Sequence, residues 1–457
     1  MRNSSGCNIL RIGRSYARAM AGACLLMAGL TADAAETGVT GTVPEFKIGA
    51  YRLPKKLRTE TVFREMKEAG IDFIIDEFHN DKPSLDMMQR LGIGAVSSRV
   101  IPSEWGGHTN VNGRLEELLP IQKFEKVAAS LKPHPAEMMF SAGDENSALD
   151  FPHLAKAFRR VREINPDIKL YFNIHPSGVG RKRKLLYYGF DSYQRYIEEY
   201  FRHIPLDYTC FDMYVYCRPR AWGLAVLFES YRTVADACRD NNRHFWFVGQ
   251  VNTHKPSVEI TEQKLRFQAY SAMAFGVERF IWACWAPGWW TNNVLTAEGE
   301  KTAQYGRVKT VNMELRRLAP QYMQFVRRET FFSGFTGDAA IWLTSEKPQY
   351  SHVPPINVNQ PGAISTALFT GVKADDGQPL ILGDMTARDG GARRALFVFA
   401  ADDPYDEKPL TRTVHFRSTA SVSAIGPNGP VELSRAADGT YSFAIGSSMC
   451  VMLIGVP

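Results

Sequence analysis

Residues 137–150 read EMMFSAGDENSALD, and this stretch decides the fold that the sequence predicts. The apolar run at residues 138–140 is typical of a short buried strand, and Asp144 and Glu145 follow it just before a helix begins. In (β/α)8 barrels the catalytic groups lie at the C-terminal ends of the strands. Glu145 is therefore the leading candidate for a general acid. The alternative is structural, because an acidic pair before a helix also suits the positive end of the helix dipole.

The same alternation of strand and helix occurs eight times along the chain. The predicted strands are residues 46–51, 71–75, 94–98, 138–140, 170–174, 209–214, 245–250 and 280–285, each followed by an amphipathic helix, the last ending near Phe325. Such alternation favours a parallel sheet, and its span is close to the roughly 250 residues of a typical barrel. We predict a (β/α)8 TIM barrel over residues 46–330. A doubly wound open sheet is the alternative, but no glycine-rich phosphate turn follows an early strand.

From about residue 331 the sequence changes to short β-rich runs separated by Gly, Asp, Asn and Pro. These runs are residues 339–343, 395–400, 411–416, 431–433 and 450–454. The pattern is typical of a small antiparallel β-sandwich. We therefore predict a C-terminal β-sandwich domain over residues 331–457, with no chemistry of its own.

The start of the chain has the pattern of a secretory signal. Arginines at positions 2, 11, 14 and 18 precede an apolar core at residues 19–30, and Ala32-Asp33-Ala34 supplies a small-x-small cleavage site. The apolar core is too short to anchor the mature protein in a membrane. We predict a signal peptide at residues 1–34, a linker at residues 35–45, and export to a bacterial periplasm or beyond, with no membrane span after cleavage.

Charge and cysteine content narrow the function further. Loss of the signal would remove four arginines and one aspartate and lower the formal net charge of the 457-residue chain from +6 to +3. A balance so close to neutral argues against nucleic acid as a partner. The five cysteines beyond the signal show no paired spacing, so free thiols are expected and no disulfide is assigned.

Polar and aromatic side chains at the ends of the predicted strands would converge on one pocket. They are Asn173 and His175 of strand five, Asp212 and Tyr214 of strand six, Gln250 of strand seven and Trp285 of strand eight. Within strands five and six the paired residues are two apart and share a face. Acid, amide and phenol groups bind sugar hydroxyls while tryptophan stacks on the ring, so a carbohydrate substrate is indicated. The alternative for Trp285 is a core side chain that plugs the barrel.

Asp144 is adjacent to Glu145 in an extended segment, so its side chain is expected to face the barrel wall or to cap the following helix. A general acid that works near neutral pH needs a raised pKa, supplied by apolar neighbours or by a nearby carboxylate. Asp144 is the nearest candidate for that repulsion.

Several motifs resemble those of clan A (β/α)8 glycoside hydrolases of the beta-galactosidase-like kind. They are GDEN at residues 143–146, FPHLAKAFRRVREINPDIKLYFNIHP at residues 151–176, FDMYVY at residues 211–216 and LRFQAYSAMAFGVERFIWACW at residues 265–285. The resemblance covers the barrel and extends to the β-sandwich. It implies that Glu145, at the end of strand four, matches the acid/base of that clan.

One position departs from the clan's pattern. The clan's nucleophile is a Glu at the end of strand seven, and the matching residue in FWFVGQVN is Gln250. A neutral amide cannot attack an anomeric carbon as a carboxylate does, so the usual retaining mechanism is in doubt. Asp212 is the best placed second carboxylate, followed by Glu104 and Glu77. Otherwise an N-acetyl group of the substrate attacks, or the site binds glycan without cleaving it.

Two further features have structural and functional interpretations. Histidines 79, 108, 175 and 254 fall on the predicted rim, but without an H-x-H pair or an H-E-x-x-H helix, so neither a metal nor a cofactor is predicted. The basic run RKRK at residues 181–184 is either a solvated loop or a subsite for an acidic polysaccharide.

The sequence therefore predicts an exported O-glycosyl hydrolase that acts on an oligo- or polysaccharide. Glu145 is its general acid and Asp212 the candidate second carboxylate, while the retaining or inverting outcome is left open. Asn173, His175, Tyr214, Gln250 and Trp285 are expected to hold the sugar. The alternative is a catalytically inactive glycan-binding protein on the same scaffold.

Overall fold

A computed structural model describes residues 43–180, 183–255, 257–336, 339–340 and 363–457. The predicted signal peptide, most of the predicted linker, positions 341–343 of a predicted strand, and Arg181 and Lys182 of the basic run lie outside the described residues.

Eight parallel strands form a closed barrel, in which each strand pairs with the next and β8 pairs with β1. They are β1 (Lys47–Tyr51), β2 (Phe73–Asp76), β3 (Gly94–Ser97), β4 (Glu137–Asp144), β5 (Leu170–Ile174), β6 (Tyr208–Asp212), β7 (His244–Gln250) and β8 (Arg279–Ala283). Most are almost continuously buried, as expected for parallel strands covered on both faces. The predicted TIM barrel is confirmed.

Ten helices lie among the described residues. They are α1 (Glu60–Glu68), α2 (Lys82–Leu91), α3 (Leu115–Leu118), α4 (Ile121–Ser130), α5 (Phe151–Ile164), α6 (Lys184–Tyr187), α7 (Tyr193–His203), α8 (Arg220–Asp240), α9 (Glu262–Ala274) and α10 (Ala303–Tyr322). The helical segment between β3 and β4 is divided into α3 and α4 at Pro120, because proline disfavours helical backbone in the residue before it. None of these helices is both long enough and apolar enough to cross a membrane.

Helix starts are fixed by side-chain caps where the chain leaves the barrel. The hydroxyls of Thr59, Ser192, Thr261 and Thr302 accept hydrogen bonds from backbone N–H groups in the first turns of α1, α7, α9 and α10. These bonds satisfy donors that a helix start otherwise leaves without a partner.

The five cysteines of the described chain carry free thiols, and four of them are buried.

Two antiparallel sheets follow the barrel and form the predicted β-sandwich. The six-stranded sheet has the order β15-β14-β18-β12-β11-β9 and the four-stranded sheet the order β10-β13-β17-β16. Their strands are β9 (Phe325–Ser333), β10 (Thr370–Ala374), β11 (Leu380–Ala387), β12 (Arg394–Ala400), β13 (Thr411–Arg417), β14 (Ser421–Gly426), β15 (Gly429–Pro430), β16 (Ser434–Arg435), β17 (Tyr441–Gly446) and β18 (Cys450–Val456). Residues 431–433, predicted as a strand, lie between β15 and β16. Strand β9 begins before the predicted boundary at residue 331.

The six-stranded sheet is buried on both faces. Leu382 and Val398 pack in the core between the two sheets, whereas Ile381 and Phe399 belong to the core shared with the barrel. On that side the ring of Phe399 lies 5.6 Å from that of Phe267 in α9. The central strands β11, β12 and β18 are therefore apolar at successive positions, without an alternating pattern.

A loop of the sandwich also contacts the rim of the barrel. The hydroxyl of Tyr405 donates to the backbone oxygen of Val215 at 3.3 Å, and Asp403 forms an ion pair with Arg220 at the start of α8. Glu407 pairs with Lys264 at 2.8 Å. The second domain thus supports the segment that follows β6.

Gly383 of β11 tests how closely the sheet packs on the barrel. A Cβ atom there would lie 2.6 Å from the backbone oxygen of Ala274, at the end of α9. Gly383→Ala should therefore destabilise the protein by about 1 to 3 kcal/mol, the usual cost of overpacking. The matched control is Gly306→Ala in α10, where a Cβ meets nothing within 4 Å and alanine favours the helix. Thermal unfolding of both variants is the measurement, and equal melting temperatures would contradict the close contact.

Candidate active site

Two adjacent acids reach the barrel mouth because β4 contains a bulge. Ser141 pairs with Tyr171 of β5, and the next pair is Gly143 with Phe172, so β4 has one residue more than its partner. An extra residue reverses the alternation of side chains along a strand. Asp144 consequently pairs with Asn173 and faces into the pocket, not toward the wall or the following helix as the sequence predicts.

The backbone of Glu145 is held in an uncommon conformation by the loop after β3. Its φ is +54°, in the left-handed region that few residues other than glycine adopt. Gly106 donates its N–H to the backbone oxygen of Asp144 at 2.8 Å, and a Cβ on Gly106 would lie 1.8 Å from the oxygen of Glu145. Gly106 therefore permits the close approach that directs Glu145 into the mouth, and Gly107 leaves room for the ring of Trp105.

The surroundings of Glu145 favour its ionised form. Trp105 donates its indole Nε1–H to Oε2 at 2.9 Å, and Nδ1 of His175 lies 3.4 Å from Oε1. Burial alone raises the pKa of Glu145, but His175, the Trp105 hydrogen bond and the charge of Arg218 outweigh it and hold the pKa below its ordinary value. The acid role predicted for Glu145 requires the opposite shift.

The carboxyl groups of Asp144 and Asp212 are bridged by the side-chain amide of Asn173. Nδ2 of Asn173 donates to Oδ1 of Asp144 at 3.1 Å and to Oδ1 of Asp212 at 2.5 Å. Burial within the barrel mouth, followed by the charges of Glu145 and Asp212, raises the pKa of Asp144 to about 8. Burial and the charge of Glu145 raise the pKa of Asp212 to about 7. The Asp144 side chain lies within the barrel mouth but is accessible from the pocket, so solvent screens part of this effect of burial.

The mouth of the barrel holds two adjacent chambers, of about 510 and 600 Å³. We call the first the acidic chamber, lined by Tyr51, Asp144, Asn173, Asp212, Tyr214, Trp289 and Trp290. We call the second the basic chamber, lined by His175, residues 177–180, Arg183, Tyr187, Pro219, Trp222 and Val226. Five residues line both chambers: Trp105, Glu145, Pro176, Met213 and Arg218. Glu145 thus stands at the junction.

Aromatic rings form the walls of the acidic chamber. The ring of Tyr51 meets that of Trp289 edge-on at 6.1 Å, and the ring of Tyr214 meets that of Trp290 at 4.8 Å. The indole of Trp105 is 46% exposed at the entrance. Flat apolar surfaces beside hydrogen-bonding groups are suited to sugar rings.

Two predicted binding residues lie outside the pocket. Gln250 is fully buried; its Oε1 accepts the N–H of Tyr216 at 2.9 Å and its Nε2 donates to the backbone oxygen of Asn252 at 2.7 Å. Trp285 is also fully buried, with its ring 6.2 Å from that of Tyr305 in α10. Neither lines a chamber, so both predicted sugar contacts are corrected to structural roles.

The remaining predicted site residues lie together in the mouth. Asn173, Asp212 and Tyr214 line the acidic chamber, and His175 lines the basic one. Glu77 pairs instead with Arg99 at 2.9 Å, and Glu104 lines neither chamber. Across the described residues, no group of three or more His, Cys, Asp or Glu side chains is arranged to hold a metal ion.

The sequence places Trp289 and Trp290 just beyond strand eight without assigning them a contact, and it does not indicate Trp105 or Arg218 as lining residues. The Trp-Gly-Gly run at residues 105–107 is a usable signal, because paired glycines after an aromatic residue permit close backbone approach. Arg218 carried no such signal, since it follows the turn after β6 in a stretch without a motif.

Asp144→Asn should stabilise the protein increasingly as the pH rises from about 4 to about 8. Unfolded aspartate loses its proton near its ordinary pKa of about 4, whereas folded Asp144 keeps it until about pH 8. Between these values the folded state binds more protons, so the free energy of unfolding of the wild type falls with pH. Asparagine does not titrate and escapes this loss.

A pKa raised from about 4 to about 8 would be worth about 5 kcal/mol without solvent screening. Because Asp144 is exposed to the pocket, we expect the melting temperature of Asp144→Asn, relative to wild type, to gain only about 2 °C over that range, or roughly 1 kcal/mol. The control is Asp167→Asn, at an exposed carboxylate in the loop after α5. A difference from wild type that does not change with pH would contradict the raised pKa of Asp144.

Comparisons with known proteins support the fold. No family model matches the chain, and no curated protein matches it. A catalytic mutant of Gan42B, a GH42 beta-galactosidase from G. stearothermophilus, is similar with a TM-score of 0.55 and 8% identity over 90% of this chain and 98% of that one. A family 39 glycoside hydrolase from Bacteroides cellulosilyticus WH2 has a TM-score of 0.49 and 10% identity, over 90% and 81%.

The beta-galactosidase from the psychrophilic Marinomonas ef1 has a TM-score of 0.44 and 10% identity over 61% of this chain, which spans 62% of that enzyme. At these identities the matches speak to the fold alone. The solved structures named above are glycoside hydrolases, and the chain shares the fold of the GH42 enzyme, a (β/α)8 barrel with further domains, over 90% of its length.

Proposed function

We propose that the protein is a glycoside hydrolase that cleaves an O-glycosidic bond of an oligo- or polysaccharide in the acidic chamber. The observation that carries the proposal is the opposite displacement of carboxyl pKa values at one site: below the ordinary value for Glu145, to about 8 for Asp144 and to about 7 for Asp212. Glycoside hydrolysis needs one carboxyl that holds a proton and another that is ionised.

The electrostatics favour a division of roles that reverses the one predicted from the sequence. Asp212, with a pKa near 7, is the proposed general acid, which protonates the leaving oxygen as its bond to the anomeric carbon breaks. Glu145 is the proposed ionised carboxylate, which either attacks the anomeric carbon or removes a proton from the attacking water. Asp144 stays protonated at neutral pH and adds no charge to the pair.

Neighbouring side chains support the same roles. Asn173 fixes the carboxyl of Asp212 through its amide, and Trp105 and His175 hold that of Glu145. Trp289 and Trp290 offer faces for the sugar ring, and Tyr214 lies beside Asp212 as a hydroxyl donor. The proposed reaction requires no cofactor.

A glycan-binding protein without catalysis is the second candidate. The specific observation that favours it is Gln250, which stands where the resemblance expects a carboxylate and is engaged with backbone groups. The two candidates differ in turnover, so product analysis separates them.

Asp212→Asn and Glu145→Gln should each lower kcat by about 100- to 10,000-fold, the usual contribution of a positioned proton transfer. Both variants should still bind substrate. The first variant should lose the alkaline limb of the kcat/KM profile and the second the acidic limb, because each limb reports one essential group. Glycan hydrolysis followed by the release of reducing ends is the measurement.

Asp167→Asn is the matched control and should retain wild-type turnover. NMR of the first-formed anomer would show whether Glu145 attacks the sugar or activates water, through retention or inversion. Binding of glycans without hydrolysis by the wild type would contradict the hydrolase and favour the binding protein.

Trp289→Ala should raise KM by about tenfold with little change in kcat, because the loss of a stacking face weakens the ground state and the transition state alike. Trp289→Phe keeps an aromatic face and should restore most of the binding. An equal loss in both variants, confined to kcat, would rule out a stacking role for Trp289.

A further inference from the structure

We propose that the basic chamber is a subsite for an anionic sugar unit, one that carries a carboxylate or a sulfate ester, within the glycan whose bond lies at Glu145. The inference rests on the proposed function and specifies its substrate class. It assigns a ligand to a chamber that the proposed bond cleavage does not use.

The charge of this chamber differs from that of its neighbour. Arg183 and Arg218 line it, and Glu145 is the one carboxylate among its lining residues, standing at the junction. The acidic chamber shares Glu145 and Arg218 with it but lacks Arg183 and adds the carboxyl groups of Asp144 and Asp212. Two arginines against one carboxylate leave positive charge in excess, and a concave surface with an excess of one sign of charge concentrates ligands of the opposite sign.

Both arginines are available to a ligand. Elsewhere in the barrel, arginines that are less exposed than these two pair with carboxylates: Arg58 with Asp81 at 3.0 Å and Arg316 with Asp72 at 2.6 Å. Within the described part of the chain, neither Arg183 nor Arg218 forms an ion pair. Both arginines are exposed on the wall of the chamber, where the charge of Arg218 also favours the ionised form of Glu145.

Arg218 is also held in place by an aromatic ring. Its guanidinium carbon lies 4.8 Å above the ring of Trp222, a cation–π contact. A guanidinium held over a ring can still donate N–H groups to two oxygens of one carboxylate or sulfate. The arrangement is pre-organised for an anion.

The remaining walls fit the body of a sugar. Trp105, Tyr187 and Trp222 contribute aromatic surface, while Val179 and Val226 contribute aliphatic surface. The volume of about 600 Å³ falls in the usual range for small-ligand sites. An apolar wall with two cations suits an acidic pyranose better than a neutral one.

Arg183 and Lys184, the described residues of the basic run at 181–184, have different roles. Arg183 is exposed and lines the chamber, whereas Lys184 is 9% exposed and its charge lowers the raised pKa of Glu229 in α8. Lys184 therefore anchors α6 to the barrel, and Arg183 is the residue of the described pair that faces a ligand.

The test compares acidic oligosaccharides with neutral forms of the same sugars. The first set pairs uronate tetrasaccharides with their methyl esters; they are made of galacturonate, of mannuronate, or of alternating glucuronate and N-acetylglucosamine. The second set pairs sulfated galactan oligosaccharides with their desulfated forms. Binding to the full chain is measured by calorimetry at two salt concentrations, and the release of reducing ends is followed in parallel.

We expect at least one acidic form to bind about tenfold more tightly than its neutral partner, as one charged hydrogen-bonding pair provides, with a preference that weakens in salt. If the preference occurs among the uronate oligosaccharides, the anion is a carboxylate, and if it occurs among the sulfated oligosaccharides, the anion is a sulfate ester. Arg218→Gln and Arg183→Gln should each reduce the preference, and Arg218→Lys should restore part of it. Arg159→Gln, at an exposed arginine of α5 outside both chambers, should leave it unchanged.

The inference is overturned if acidic and neutral forms bind equally in every pair, if none of the acidic glycans binds, or if the preference survives both arginine variants. Hydrolysis of neutral glycans without any charge preference would overturn the subsite and leave the hydrolase standing. A preference without hydrolysis of any glycan would support the subsite and overturn the proposed reaction.

Discussion

The site depends on one extra residue in β4. In a regular strand, adjacent side chains point to opposite faces, so Asp144 and Glu145 would be separated by the barrel wall. The bulge between Ser141 and Gly143 brings the first acid inward, and the left-handed backbone of the second turns it to the same mouth. The bulge needs glycine, because a Cβ at Gly143 would lie 2.2 Å from the ring of Phe172.

Crowding of acids has an electrostatic consequence that the protein distributes unevenly. Three carboxyls in one mouth cannot all ionise without repulsion, so neighbouring donors and cations decide which one does. Trp105, His175 and Arg218 lie on the side of Glu145. The hydrogen-bond donors to Asp144 and Asp212 are neutral side chains, the amide of Asn173 for both and the hydroxyl of Tyr214 for Asp212. The proton is therefore retained on the aspartate side, and the separation exists before any substrate arrives.

Much of the fold and part of the site could be predicted from the sequence. Buried parallel strands appear as apolar runs, and Asp212 was predicted because β6 is regular there. Asp144 was not, since a bulge leaves no simple pattern. The predicted role of Gln250 was wrong because its side chain bonds to the backbone of Tyr216, which is far from it in sequence, and of Asn252, beyond the end of β7. A sequence pattern does not reveal such partners. Trp285 was misassigned because β8 ends at Ala283 and the chain then turns its indole toward α10.

The contact between the sandwich and the barrel rim bears on how this architecture can be divided. Val215 and Arg220, which the loop at residues 403–405 holds, flank the segment that carries Arg218 into both chambers. A barrel excised at the end of α10 would keep its strands and lose the support of that segment. The two domains therefore form one indivisible unit for recombination or engineering, although the proposed chemistry lies in the first alone.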